Sequence, residues 1–385
     1  MNNNKIESIL SNGYKLFISE KYNEAIKIFQ SALKLDNKYP KTLFLLGISC
    51  ALNQNLEDAK NYLFKASVVD SKNYYVHYNL AKVYSDLNNH DSAIKHHNIA
   101  IEIDPKKYEA WLNYGLSLNK INQKEKALNC FYKALELNNE ISIIYTSIGD
   151  VFYEVGKYDK ALENYKKSIE LEKNIPEVLT KIGATFRNLR NFSKSIEFQK
   201  KAINLRPSFV EAHTNLAISY RGIFDFKNAI IYLNKAIKIN PVFESAIINK
   251  AITLSDLGKY NESISCYKRV IKINPNNFDA HNNLGILYLS QQNFKKGWEH
   301  YNKRFSTKKY NIDNIKAKIK TWNGKEKVSS LLLISEQGIG DQVLYASIIQ
   351  DLTKFCNNVS IICDPKLEKV FKNSFKKLKI ISKKK

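Results

Sequence analysis

Gly149–Gly183, GDVFYEVGKYDKALENYKKSIELEKNIPEVLTKIG, begins and ends on glycine and carries small residues at Ala161 and Ser168 in between. That spacing recurs along most of the chain. Steps of 34 residues from Gly13 land on Gly47, Ala81, Gly115, Gly149, Gly183, Ala217, Ala251 and Gly285, every one glycine or alanine. Twelve residues after each comes a second small position, Ala25, Ala59, Ala93, Ala127, Ala161, Ser195, Ala229, Ser263 and Gly297. Seven further on is a third, Ala32, Ala66, Ala100, Ala134, Ser168, Ala202 and Ala236, which drifts to Val270 and Arg304 at the end. A fixed period over nine units, without insertion or deletion, is the mark of a repeat array rather than of one globular core.

Two antiparallel helices come close only where side chains are small, and the next repeat must nest against the same surface. Overfilling such a position costs about 1–3 kcal/mol. Tyr22, Tyr158, Phe192, Phe226, Tyr260 and Phe294 open the second helix of their repeats and are expected to fill the space between helices. Pro105, Pro207, Pro241 and Pro275 recur at repeat ends, where a proline stops the second helix and sets the turn into the next repeat.

The pattern resembles the tetratricopeptide repeat over roughly four-fifths of the chain. The pentatricopeptide repeat, an RNA reader, lacks this Gly, Ala, Ala, Pro spacing. The resemblance implies an all-α, right-handed solenoid of nine helix-turn-helix repeats over residues 1–306, the first starting near residue 6, with eighteen helices and an inner groove lined by the first helices. Two residues before each first small position, on the face that the resemblance assigns to the groove, stand Ser11, Leu45, Asn79, Asn113, Ser147, Lys181, Asn215, Asn249 and Asn283. A carboxamide offers both donor and acceptor, so a row of them can hold an extended peptide by its backbone. The arrangement is similar to the repeat region of O-linked N-acetylglucosamine transferases. Asn79, Asn113, Asn215, Asn249 and Asn283 are therefore candidate binding residues for a peptide or protein. Against this stands the abundance of asparagine throughout the chain.

The ninth repeat departs from the pattern, and a Lys-rich linker, 307–329, follows. The period then changes. LLLIS (331–335), VSIIC (359–363) and LKIIS (378–382) read as strands. Residues 341–355 read as a helix with Val343, Leu344, Ile348 and Leu352 on one face, and Asp364-Pro365 opens a short helix to about 375. The result over 330–385 is a β-α-β-α-β parallel unit. GWEHYNKR, then Trp322-Asn323-Gly324, then EQGIGD (336–341) resemble the junction in proteins that join tetratricopeptide repeats to a heptosyltransferase-type domain, which is Rossmann-like and of the GT-B type. The resemblance implies that Gly338 and Gly340 let the backbone approach sugar or phosphate and that Asp341 is a catalytic base. A carboxylate stabilised by the helix dipole explains Asp341 equally well. Ser347 stands where the family motif commonly has arginine.

The unit looks incomplete, because three strands with open edges make a poor core of their own and the resemblance calls for a second, donor-binding domain. The expectation is an interaction scaffold without a cofactor and without sugar transfer by the chain as given. The alternative is a glycosyltransferase that takes a nucleotide sugar and whose repeats select a polypeptide acceptor. The net charge of +23 is spread along the whole chain, so nucleic acid ranks last among partners. The five scattered cysteines (Cys50, Cys130, Cys266, Cys356, Cys363) have no disulfide or zinc spacing and read as buried small residues. His77, His213 and His281 share one repeat position with Trp111 and read as packing variants, not metal ligands. No signal peptide or membrane-length apolar run is seen, and the expected location is cytoplasmic.

Overall fold

The computed structural model describes residues 2–303, 322, 324–335 and 338–382. Arg304, Glu336, Gln337, Asn323, residues 307–321 and residues 383–385 of the sequence reading lie outside the described residues. The chain divides into two units, Met1–Thr253 and Leu254–Lys385. From Asn2 to Tyr301 the described residues form eighteen helices, α1 (Asn2–Ile18) through α18 (Phe294–Tyr301), with no strand among them.

One turn, used nine times, joins the two helices of each repeat. Its central residue is left-handed in Glu20, Gln54, Asn88, Asn122, Gly156, Arg190, Phe224, Gly258 and Gln292, which are 34 residues apart. The amide after it reaches back five residues, as in Lys157 N–H to Phe152 O at 2.8 Å and Asn191 N–H to Phe186 O at 2.8 Å. This closes the first helix with a Schellman-type bond. In five repeats the next residue starts the second helix by capping it: Asn55, Asn89, Asn191, Asp225 and Asn293 each accept an N–H three residues on.

The small positions work by close approach. A Cβ built on Gly149 would stand 2.6 Å from the buried Tyr165 ring, and one on Gly115 would stand 2.5 Å from that of Phe131. These rings, with Phe29 against Gly13, come from a bulky position of the second helix sixteen residues after the glycine, and all three are essentially inaccessible. This corrects one expectation in part. Of the aromatics that open the second helix, Tyr260 and Phe294 are 44% and 60% exposed and do not fill the interhelical space. Tyr22, Tyr158, Phe192 and Phe226 are half-buried, and a Cβ on Gly222 would run into the Phe192 ring. These aromatics lie at the helix start, beside the turn, where only half of a ring can be covered.

In the second unit β1 (Val328–Ile334), β2 (Cys356–Cys363) and β3 (Lys379–Ser382) form a parallel sheet in the order β1-β2-β3, with Leu333 opposite Ile361 and Ile361 opposite Ile380. Leu331, Leu333, Val359, Ile361 and Ile380 share a core with Ile349, Leu367 and Phe371. The region read as one helix over 341–355 is two, α19 (Ile339–Ala346) and α20 (Ile349–Leu352). Its inward face is also different: Val343, Leu344 and Ile348 are all more than half exposed, whereas Gln342 and Ile349 are buried. The break at Ser347-Ile348 rotates the second piece, and Ile349 rather than Ile348 meets the sheet. The Asp364 carboxylate accepts Lys366 N–H at 2.9 Å. It opens a 3-10 turn, Pro365–Leu367, that leads into α21 (Glu368–Ser374).

Candidate functional site

The five asparagines sit on the first helices of their repeats, half-buried. Asn79 Nδ2 donates to Tyr75 O at 2.8 Å and Asn249 Nδ2 to Ser245 O at 2.8 Å, each on its own helix. Asn113 Nδ2 donates to Glu109 O at 2.9 Å and to the Tyr78 hydroxyl at 3.0 Å. A backbone carbonyl can only accept, so these bonds fix the amide orientation. Asn79 and Asn249 are left with the Oδ1 acceptor and one further N–H, and Asn113 with Oδ1 alone. Asn215 differs, its Oδ1 accepting from Arg187 Nη1 at 3.0 Å.

Lys181 occupies the asparagine register of the sixth repeat. Its Nζ lies 2.5 Å from Asp150 Oδ1, and the buried Tyr165 hydroxyl donates to the same oxygen at 2.7 Å. Burial, then the Asp150 charge, pushes the Tyr165 phenol above its ordinary range. The sequence reading missed this triad. Its one signal was a lysine interrupting a row of amides, since Asp150 and Tyr165 are distant in sequence and meet only through the hairpin.

The histidines prove more specific than packing variants. His77 Nδ1 stands 3.0 Å from His96 Nδ1, and His281 Nδ1 stands 2.9 Å from His300 Nδ1. His97 points elsewhere, between the rings of Tyr78 and Tyr114. Burial pushes His96 down to about 4 and His97 down to about 3, with smaller contributions from neighbouring positive charge. None of the five cysteines forms a disulfide; four are buried and Cys266 is partly so. Burial holds the Cys50 thiol at about 11 and Cys130 at about 12, far from a reactive thiolate.

In the second unit Gly338 is the residue before α19, and Gly340 and Asp341 lie in its first turn. Asp341 is exposed, and a Cβ on Gly340 would meet nothing within 4 Å. A cavity of about 240 Å³ lies nearby, lined by Trp298, Tyr301, Ser335, Gln342, Tyr345 and Phe371 among others. Neither glycine nor Asp341 lines it. Gln342 Oε1 accepts Asp364 N–H at 3.0 Å, which ties α19 to the end of β2.

Profiles of the tetratricopeptide repeat match residues 74–107, 108–141, 176–209 and 210–243, and a TPR repeat profile matches 149–189 and 253–292. No curated protein matches the chain. Among solved structures, the chain is similar to the APC/C hetero-tetramer Cut9–Hcn1 at 19% identity and a TM-score of 0.53, covering 72% of this chain. It spans 55% of that relative's length. A tetratricopeptide repeat protein from Parabacteroides merdae is similar at 15% identity and a TM-score of 0.55, with 65% of this chain and 98% of that one covered. At such identities the likeness speaks for the fold. No described helix is long and apolar enough to cross a membrane. With the profile matches together covering more than half of the sequence, and with a repeat turn recurring nine times, the chain belongs to the tetratricopeptide-repeat family.

Proposed function

We propose that the protein is an interaction scaffold that holds an extended peptide or protein segment along the first-helix face of its repeats, reading the ligand's backbone. The observation that carries this is the amide row. Asn79, Asn113 and Asn249 spend an N–H on the carbonyl four residues back. Each is thereby held with Oδ1 free to accept from a ligand amide. Recognition of backbone rather than side chains gives affinity without strict sequence demand.

A random peptide array probed with the full chain tests the reading. Bound peptides should be displaced by one another and should protect the first helices of the third to ninth repeats from hydrogen exchange. Protection confined to the second helices would refute it.

A second reading concerns the α/β unit, which resembles a glycosyltransferase-type segment. The cavity beside the carboxyl end of β1 favours it, because ligands of open parallel sheets bind there. Asp341 and the glycines lie outside that cavity, so this unit is proposed as a place for a small ligand without turnover. Titration with a panel of nucleotide sugars tests it. Release of free nucleotide that Asp341→Ala abolishes would establish an enzyme instead.

A further inference from the structure

The third repeat buries three histidines where most repeats carry apolar or aromatic side chains. His77, His96 and His97 are 4%, 8% and 0% exposed. The first two face each other head-on: their ring centroids are 5.3 Å apart and their Nδ1 atoms 3.0 Å. The difference is close to the two centroid-to-nitrogen distances, so both nitrogens lie on the line between the rings. That is the geometry of N–H···N hydrogen bonding, with no room for an ion between.

The proton positions follow from the partners. His77 Nε2 stands 3.0 Å from Ser71 O and must donate to it, since a carbonyl only accepts. Neutral His77 therefore accepts at Nδ1, and His96 donates from its own Nδ1. His77 has no other acceptor site, so a proton can reach it only if the pair parts. A proton on the outer nitrogen of His96 leaves the bond intact but buries a cation. Both ring nitrogens of His97 are inaccessible and lack a hydrogen-bond partner.

The charged and titratable neighbours do little to welcome those cations. Lys82 of α5 (Tyr74–Asp86) and Lys95 of α6 (His90–Ile103) bear on His97 and His96 and disfavour their charge. From the end of α4 (Leu56–Val69), Asp70 faces His77 and favours its charge. Tyr84 of α5 stacks on His96, and Tyr78 of α5 and Tyr114 of α7 (Tyr108–Lys120) flank His97. Burial raises the Tyr78 and Tyr114 phenols, so both stay uncharged near neutrality, and Glu109 of α7 bears on Tyr78.

We propose that the buried histidines of the third repeat form a proton-operated latch, closed near neutral pH and opened by acid through separation of the α5 and α6 hairpin. Tyr78, whose ring centroid lies 6.4 Å from that of His97, accepts from Asn113 Nδ2 of the amide row at its hydroxyl. Opening would release one element of the binding face, a consequence that rests on the groove reading proposed above; the latch itself does not. The ninth repeat carries the same device in His281, His300 and Tyr288, with Glu299, Lys268 and Lys303 bearing on it. In the seventh repeat Tyr232 replaces the second histidine against His213, and that copy cannot trap a shared proton.

Hydrogen exchange of the full chain, resolved by mass spectrometry and corrected for intrinsic rates, tests this without any ligand. Helices within 142–205, which contain no histidine, are the internal reference. With His96 held at about 4 and His97 at about 3 in the closed hairpin, protection of α5 and α6 should fall by at least about thirtyfold more than the reference between about pH 7.5 and pH 5. The double variant His96→Tyr/His97→Leu, which installs the Tyr232-Leu233 pair of the seventh repeat, should lose most of that excess. His96→Gln is the second variant if the first misfolds. Equal acid response in α5–α6 and in the reference, or an excess unchanged in the variant, would overturn the proposal. Persistence of the latch with peptide capture unaffected by acid would overturn only its link to the groove.

Discussion

Gly115→Ala is a quantitative probe of the repeat packing. A Cβ there would stand 2.5, 2.7 and 3.1 Å from Cε1, Cδ1 and Cζ of Phe131, a ring at 0% exposure. The ring cannot retreat without displacing the neighbouring repeat, and overpacking of this kind costs about 1–3 kcal/mol. Alanine also gains about 1 kcal/mol of helix propensity over glycine. The net expectation is a loss of about 0–2 kcal/mol, measured by urea unfolding followed by circular dichroism. The seventh repeat shows the escape, for it carries Ala217 with Leu233 in the matching positions. Phe131→Leu alone should cost about 1–2 kcal/mol as a cavity. Adding it to Gly115→Ala should cost less than the sum of the two, with a coupling of about 1–2 kcal/mol. A stabilised Gly115→Ala with no coupling to Phe131→Leu would refute the close-approach argument.

Arg190→Gly should stabilise the protein by about 0.5–1 kcal/mol in the same urea assay, because Arg190 sits at φ 61° with a Cβ; Gly156→Ala should do the reverse. Loss of the cap in Asn191→Ala should cost about 1 kcal/mol and fray the start of its helix in hydrogen exchange. Tyr165→Phe removes a 2.7 Å bond to Asp150 and should cost about 1 kcal/mol of thermal stability. Stability should also fall in acid. His96 and His97 are lowered on folding, so below about pH 6.5 the unfolded chain binds more protons than the folded one. The contribution is complete above that value and is lost down to about pH 4 for His96 and about pH 3 for His97; at about pH 4 His96 alone would account for about 3 kcal/mol. Denaturant midpoints across this range check the sign, and a protein more stable at pH 5 than at pH 7.5 would contradict it.

The repeat fold could be read from sequence because its cause is local and periodic. Small residues 34 apart mark where backbones touch, and the prolines mark where helices end. The left-handed turn residue escaped notice because its identity varies from Glu20 to Phe224; geometry, not composition, is repeated there. The three strands were found near their true limits because continuous apolar runs signal them. The helix after β1 was misread in its face, since Val343, Leu344 and Ile348 are apolar yet exposed, and apolar character alone does not say which side is covered. Of the candidate site, the asparagine register was evident, but the bonds that orient each amide were not. The pairing of His77 with His96 and of Asp150 with Lys181 and Tyr165 depends on which faces meet across hairpins, and no single-helix pattern encodes it.

The central claim is that the amide row reads a peptide backbone, and a scan of ligand N-methylation tests it most directly. With any peptide captured from the array, methylation of one backbone nitrogen at a time removes single N–H donors while keeping every side chain. The account predicts losses of tenfold or more, about 1.4 kcal/mol each, at regularly spaced positions. Those losses should vanish in the Asn79→Ala/Asn249→Ala/Asn283→Ala variant, while alanine replacements in the ligand should cost less. Uniform tolerance of N-methylation, with affinity governed by the ligand's side chains, would contradict it.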